Sequence, residues 1–251
     1  MSLADLFSKE ARARNNLKKT IARAADKHAQ SGDRFRALEL LRDDGSPAAI
    51  GGMLRRFSFV YDKSIEDEQE KEWVYQTLVE MGAKILPELR TYLRDSETLS
   101  WSLKILEHIA TGPAFHETLQ TLCEQNDNSY VRDPSKKIQL VHFMGEHRDP
   151  VIAALIVPYV DDIDEGVRFK AVEALLHQGQ RELILAPLVG RLLNKSEESR
   201  RIKVRILEGL SEAGVPISER PSEVERALSE LGLDGKLDAQ KRLKLSASSR
   251  A

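Results

Sequence analysis

The chain has 251 residues, 38 Lys/Arg against 40 Asp/Glu for a formal net charge of −2, and a single cysteine, Cys123. One cysteine excludes an internal disulfide framework and fits a reducing compartment, with a buried structural thiol as its simplest role. No apolar run is long enough to span a bilayer and the N-terminus lacks a signal-peptide core, so the sequence predicts a cytoplasmic protein without a transmembrane segment.

Charge is unevenly spread. Residues 1–30 hold seven Lys/Arg against three Asp/Glu and residues 232–251 hold five against two, which leaves −9 for the middle. Three regions follow: a basic N-terminal helix or cap (1–30), a helical body (31–231) and a basic, flexible tail (232–251).

In chain order, Ser2 to Ala29 lacks proline and glycine and is rich in alanine and charge, which predicts a helix. Leu17, Ile21, Ala24 and His28 share one face at helical spacing and would cap the first helix pair. Leu3, Leu6 and Phe7 form a separate patch followed by Lys9, Arg12 and Arg14. This patch reads either as part of the cap or as a basic amphipathic tether to a partner or an anionic surface.

From residue 31 the chain repeats itself. RFRALELL (34–41), RFKAVEALL (168–176) and KVRILEGL (203–210) superpose on Glu39, Glu173 and Glu208, and weaker copies start at Lys71, Ser102 and Lys137. About six units recur at intervals of roughly 30 to 37 residues. Ser46-Pro47, Gly112-Pro113 and Asp149-Pro150 each place a cap-type or flexible residue before a proline, the signature of a second helix start. Pro87, Pro158 and Pro187 fall within those second helices, at a first-turn or a kink position. Ala37, Ala171, Ala174 and Gly209 are expected where a first helix approaches its neighbours, and Trp73 and Trp101 are expected as core anchors.

The first unit is followed by FSFVYDKSIEDEQEKE (57–72), which breaks the rhythm. Phe57, Phe59 and Tyr61 alternate as an extended segment would, ahead of an acidic run that includes Glu66 and Asp67. These residues either cover a junction between repeats or form a recognition loop. The second helices carry Arg55, Arg56, Arg90, Arg94 and Arg191, which either form a basic stripe for an acidic partner or bond acidic neighbours such as Glu88, Asp95 and Glu182. After residue 232, two glycines break the helical pattern and the basic segment 236–245 reads as fraying or, alternatively, as a basic tail for an acidic partner or nucleic acid.

The segment Asp164 to Leu176, with Asp164, Val167-Arg168, Ala171 and Ala174-Leu175, resembles the HEAT-repeat family, in particular the short bacterial-type units also seen in phycobilin lyases. The resemblance covers residues 31–212 and implies an all-α fold, an α-solenoid superhelix of about six helix pairs behind an N-terminal helix. Relatives of this kind bind proteins, handle nucleic acid or, rarely, do chemistry.

Signatures of catalysis are missing from the sequence. It has no glycine-rich phosphate loop, no nucleophile elbow and no zinc-type Cys/His spacing, and His108, His116, His142 and His147 fit no convergent motif. The expectation is a non-catalytic protein-protein interaction scaffold or adaptor, not an enzyme, with no cofactor, no metal and no small-molecule substrate, whose partner is another protein. A nucleic-acid-associated protein similar to the HEAT-type DNA glycosylases is the alternative. It would need a continuous basic groove, which the acidic body opposes.

Overall fold

The computed structural model describes residues 3–61, 63–179 and 181–246, with the side chains of residues 3–9, 64, 181 and 182 excepted. An N-terminal helix, α1 (Leu3–Ala24), precedes helix pairs in which α2 (Ser31–Asp44), α4 (Ser64–Met81), α6 (Ser100–Ile109), α8 (Ser135–Gly145), α10 (Glu165–Gln178) and α12 (Arg200–Ala213) are the first members. The second members are α3 (Pro47–Leu54), α5 (Leu86–Asp95), α7 (Pro113–Gln125), α9 (Pro150–Ile156), α11 (Arg181–Leu192) and α13 (Pro221–Glu230). Every copy of the repeated segment lies on a first helix. The fold is all-α, of the α-solenoid type.

Local chemistry sets the helix starts. The Ser46 hydroxyl accepts from Ala49 N ahead of Pro47, and the Asp149 carboxylate accepts from Val151 N and Ile152 N ahead of Pro150. Asp164 and Ser199 cap α10 and α12 in the same way. At the other end, Gly45 after α2 and Gly214 after α12 adopt φ near +60°, the left-handed turn that frees the chain for the second helix. α1 ends earlier than the composition predicts, because Asp26 accepts from His28 N and folds residues 25–30 into turns. Of the prolines, Pro87 sits in the first turn of α5, Pro158 opens a short 3₁₀ segment after α9, and Pro187 lies inside α11.

The chain divides into two compact units, Met1–Thr118 and Leu119–Ala251, with the division inside α7. In the first unit α1 packs on α2 and α3, and α3 packs on α5. Leu38, Leu41, Met53, Leu54, Leu78, Leu89 and Leu103 are completely buried there. Trp73 and Trp101 sit only half-buried, Trp73 tilted against Phe35 at 4.9 Å and Trp101 stacked on Phe57 at 5.7 Å.

In the second unit α10 is packed between α8 and α12. The approach is close: a β-carbon on Gly145 would lie 2.7 Å from the Ala174 Cβ, and one on Gly209 would collide with the Leu176 side chain. The small residues at 174 and 209 are therefore what lets neighbouring first helices meet. Residues 235–245 are not a frayed tail. Strands β1 (Gly235–Leu237) and β2 (Leu243–Leu245) pair antiparallel, β2 packs on α12, and Leu243 is fully buried. Alternation of Leu and Lys through this segment, with one apolar residue taken into the core, suits a strand as well as a short helix.

Candidate functional site

In the copies that begin at Arg34, Lys71, Lys137 and Arg168, the basic position that opens the repeated segment is held in an internal ion pair. In the first unit Glu70 of α4 accepts from Arg34 Nε at 2.7 Å and Nη2 at 2.8 Å, and from Arg56 Nε at 2.8 Å, with both guanidiniums fully buried. Arg56 also reaches Asp67 at 2.6 Å, and Lys71 pairs with the same carboxylate at 2.5 Å. The second unit repeats the arrangement. Glu197 takes Arg168 at 2.9 Å and Arg191 at 2.7 Å, and Lys137 pairs with Asp162 at 2.8 Å. Burial would push the carboxyls of Asp67, Glu70 and Glu197 up, but hydrogen bonds from the neighbouring cations outweigh it and hold all three below the usual carboxylate range.

These pairs decide the standing of most sequence candidates. Arg56 and Arg191 are not on a binding surface, because each is buried and bonded inside the fold. Phe59 and Tyr61 are covers: the Arg56 guanidinium lies 4.5 Å from the Phe59 ring centre and that of Arg34 lies 4.5 Å from the Tyr61 ring centre. Asp67 is buried beneath them and Glu66 pairs with Lys63 at 3.2 Å. Arg90 bonds the Thr118 hydroxyl at 2.9 Å and Glu117 at 2.7 Å, while Arg94 grips Asp95 at 2.7 and 3.0 Å. The side chains of Leu3, Leu6 and Phe7 lie outside the described residues.

Arg55 stands apart. It is exposed, makes no ion pair among the described residues, and lines a groove of about 590 Å³ formed by α1, α3 and α5. Helical spacing builds each wall. Lys18, Ile21 and Ala22 project from α1; Ala48, Gly51 and Arg55 share one face of α3; Glu88, Thr91, Tyr92 and Asp95 share one face of α5. Pro47 and Pro87 complete a lining that joins apolar residues to a few charged ones.

The two glycines of α3 serve opposite faces. A β-carbon on Gly52 would lie 2.7 Å from Ile21 Cγ1, so Gly52 seats α1 against α3. A β-carbon on Gly51 would meet nothing within 4 Å, so Gly51 leaves the groove open at a cost in helix stability. Like Arg55, Lys18 and Glu88 have no ion-pair partner among the described residues. Sequence reasoning picked out Arg55 and named Glu88 only as a neighbour; it missed Lys18 and Gly51. The signal available was the low-side-chain run PAAIGGM beside Arg55.

A smaller concavity of about 220 Å³ lies between α8 and α10, bordered by His142, Glu146, Lys170, Glu173 and His177. Its charges are matched locally, with Lys170 on Glu173 at 2.8 Å, His142 3.8 Å from Glu146, and His177 bonded to the Gly145 carbonyl at 2.9 Å. Among the described residues no group of three or more His, Cys, Asp or Glu could hold a metal ion. No helix among them is long and apolar enough to cross a membrane.

No family model matches the chain, and no curated protein matches it. Among solved structures it is similar to human deoxyhypusine hydroxylase in complex with glycerol, at 15% sequence identity over 89% of this chain and 96% of that one, with a TM-score of 0.29. The expectation of a non-catalytic scaffold that is not an enzyme is corrected by this finding, since the protein matched is an enzyme. At that TM-score the likeness carries no activity over to this chain. The all-α, solenoid-type fold rests on the succession of helix pairs itself.

Proposed function

We propose that this helical-repeat protein binds a small amphiphilic molecule in the α1/α3/α5 groove of its first unit. One observation carries the reading: a concavity of about 590 Å³ joins an apolar lining to three charges, Lys18, Arg55 and Glu88, without ion-pair partners among the described residues, and has a glycine at position 51 where no packing requires one. That volume lies in the range of small-molecule sites, which join an apolar lining to a few polar groups that fix orientation. Kinship with the HEAT-repeat family is part of the reading and is supported by the repeated Asp164 to Leu176 pattern on α10. A reducing, cytoplasmic setting is supported by the lone Cys123, whose thiol is pushed up to about 11 chiefly by burial.

The test is to fill the groove without disturbing the fold. A β-carbon at position 51 would meet nothing within 4 Å and the groove beyond it has volume for a ring, so Gly51→Phe should not lower the urea midpoint. Binding of the neutral apolar dye Nile red, read as blue-shifted emission, should be lost in the variant. Equal dye binding by wild type and a folded Gly51→Phe would refute the assignment of the groove.

A further inference from the structure

We infer that the molecule taken by this groove is an organic anion, its charged group held between Lys18 and Arg55 and its apolar body lying over Ala48, Gly51 and Ile21. The inference rests on the ligand-binding reading of the groove and adds the charge of the ligand to it.

The argument is one of charge complementarity. The groove has a basic side and an acidic side, because Lys18 comes from α1 and Arg55 from the end of α3, whereas Glu88 and Asp95 both come from α5. Asp95 is already engaged, gripped by both nitrogens of the Arg94 fork. Glu88 lies in the first turn of α5, where the positive helix end favours a carboxylate. Lys18 and Arg55 both line the groove and, like Glu88, have no ion-pair partner among the described residues. Two cations against one carboxylate leave the unpaired charge of the groove net positive.

The geometry of the groups agrees. A guanidinium offers a planar fork that bonds carboxylate, sulfonate or phosphate oxygens in pairs, and an ammonium beside it adds a mobile point charge. Ala48 and Gly51 place no more than a methyl group in the groove, so an apolar body attached to the anion can reach the apolar lining they form with Ile21. A doubly charged, fully polar anion gains nothing from that lining and is repelled by Glu88. The fitting class is therefore a singly charged amphiphile, an aromatic or aliphatic carboxylate or sulfonate.

The probe is anilinonaphthalene sulfonate, titrated by fluorescence against the full chain in parallel with neutral Nile red. Lys18→Gln/Arg55→Gln should weaken the sulfonate by about tenfold or more while leaving Nile red within about twofold, since only charge-assisted bonds are removed. Glu88→Gln should tighten the sulfonate, and added salt should weaken it in the wild type. If Gly51→Phe excludes both dyes but the double variant binds the sulfonate as well as wild type, the anion assignment falls and the groove reading stands. Should Gly51→Phe exclude neither dye, both readings fall together. Tighter binding of a cationic apolar dye than of the sulfonate, dependent on Glu88, would also overturn the anion assignment.

Discussion

Replacing Glu70 with glutamine isolates the energetic role of the buried ion pairs. In the wild type this carboxylate takes three hydrogen bonds from two guanidiniums, and the side chains of Arg34 and Arg56 are both 0% exposed. After the change Arg56 keeps Asp67 at 2.6 Å, but Arg34 loses its one carboxylate partner and is left with neutral acceptors, the Ala29 carbonyl at 3.0 Å and the new amide oxygen. The variant therefore leaves one buried charge uncompensated, which costs about 3–5 kcal/mol. That is a large share of the ~5–15 kcal/mol that stabilises an ordinary domain.

The comparison that tests the reasoning is Glu117→Gln. Glu117 meets Arg90 at 2.7 Å, the same separation as Glu70 from Arg34, but its side chain is 68% exposed. An exposed pair contributes about 0–1 kcal/mol. Urea unfolding followed by circular dichroism should separate the two variants by at least ~2 kcal/mol at unchanged slope. Similar losses from both, or a Glu70→Gln loss below ~1 kcal/mol, would refute burial as the source of the effect.

Further outcomes follow from the same geometry. Asp67, Glu70 and Glu197 are held below the ordinary carboxylate range in the folded protein, so the stability they contribute is fully present above about pH 4.5 and is lost as pH falls below it. Urea midpoints at descending pH should show this fall, and Glu70→Gln should flatten it. Gly51→Ala should stabilise the chain by about 0.5–1 kcal/mol, because a helix interior gains and nothing is touched. Gly145→Ala should cost ~1–3 kcal/mol, because its new methyl meets the Ala174 Cβ at 2.7 Å; thermal melts of the two variants should move in opposite directions. With its thiol near 11 and its sulfur bonded to Met144 at 3.7 Å, Cys123 should resist Ellman's reagent at neutral pH until urea unfolds the second unit.

What the sequence determined by itself was the repeat. Copies of one pattern at Arg34, Lys71, Ser102, Lys137, Arg168 and Lys203 locate the first helices, because each unit must bury the same stripe against its neighbours. Ser46-Pro47 and Asp149-Pro150 locate second helices, because capping depends on residues adjacent in the chain. The partners of the charges were decided only by tertiary structure. Arg55 and Arg56 are neighbours in sequence, yet one is exposed in a groove and the other is buried on Glu70 and Asp67. Gly51 and Gly52 diverge in the same way, one facing open space and the other the Ile21 side chain. Adjacent residues on a helix are about 100° apart around its axis, so which of them meets a neighbour depends on where α1 and α5 come to rest. Those positions are fixed by packing over long sequence separations, and no local pattern in the sequence encodes them.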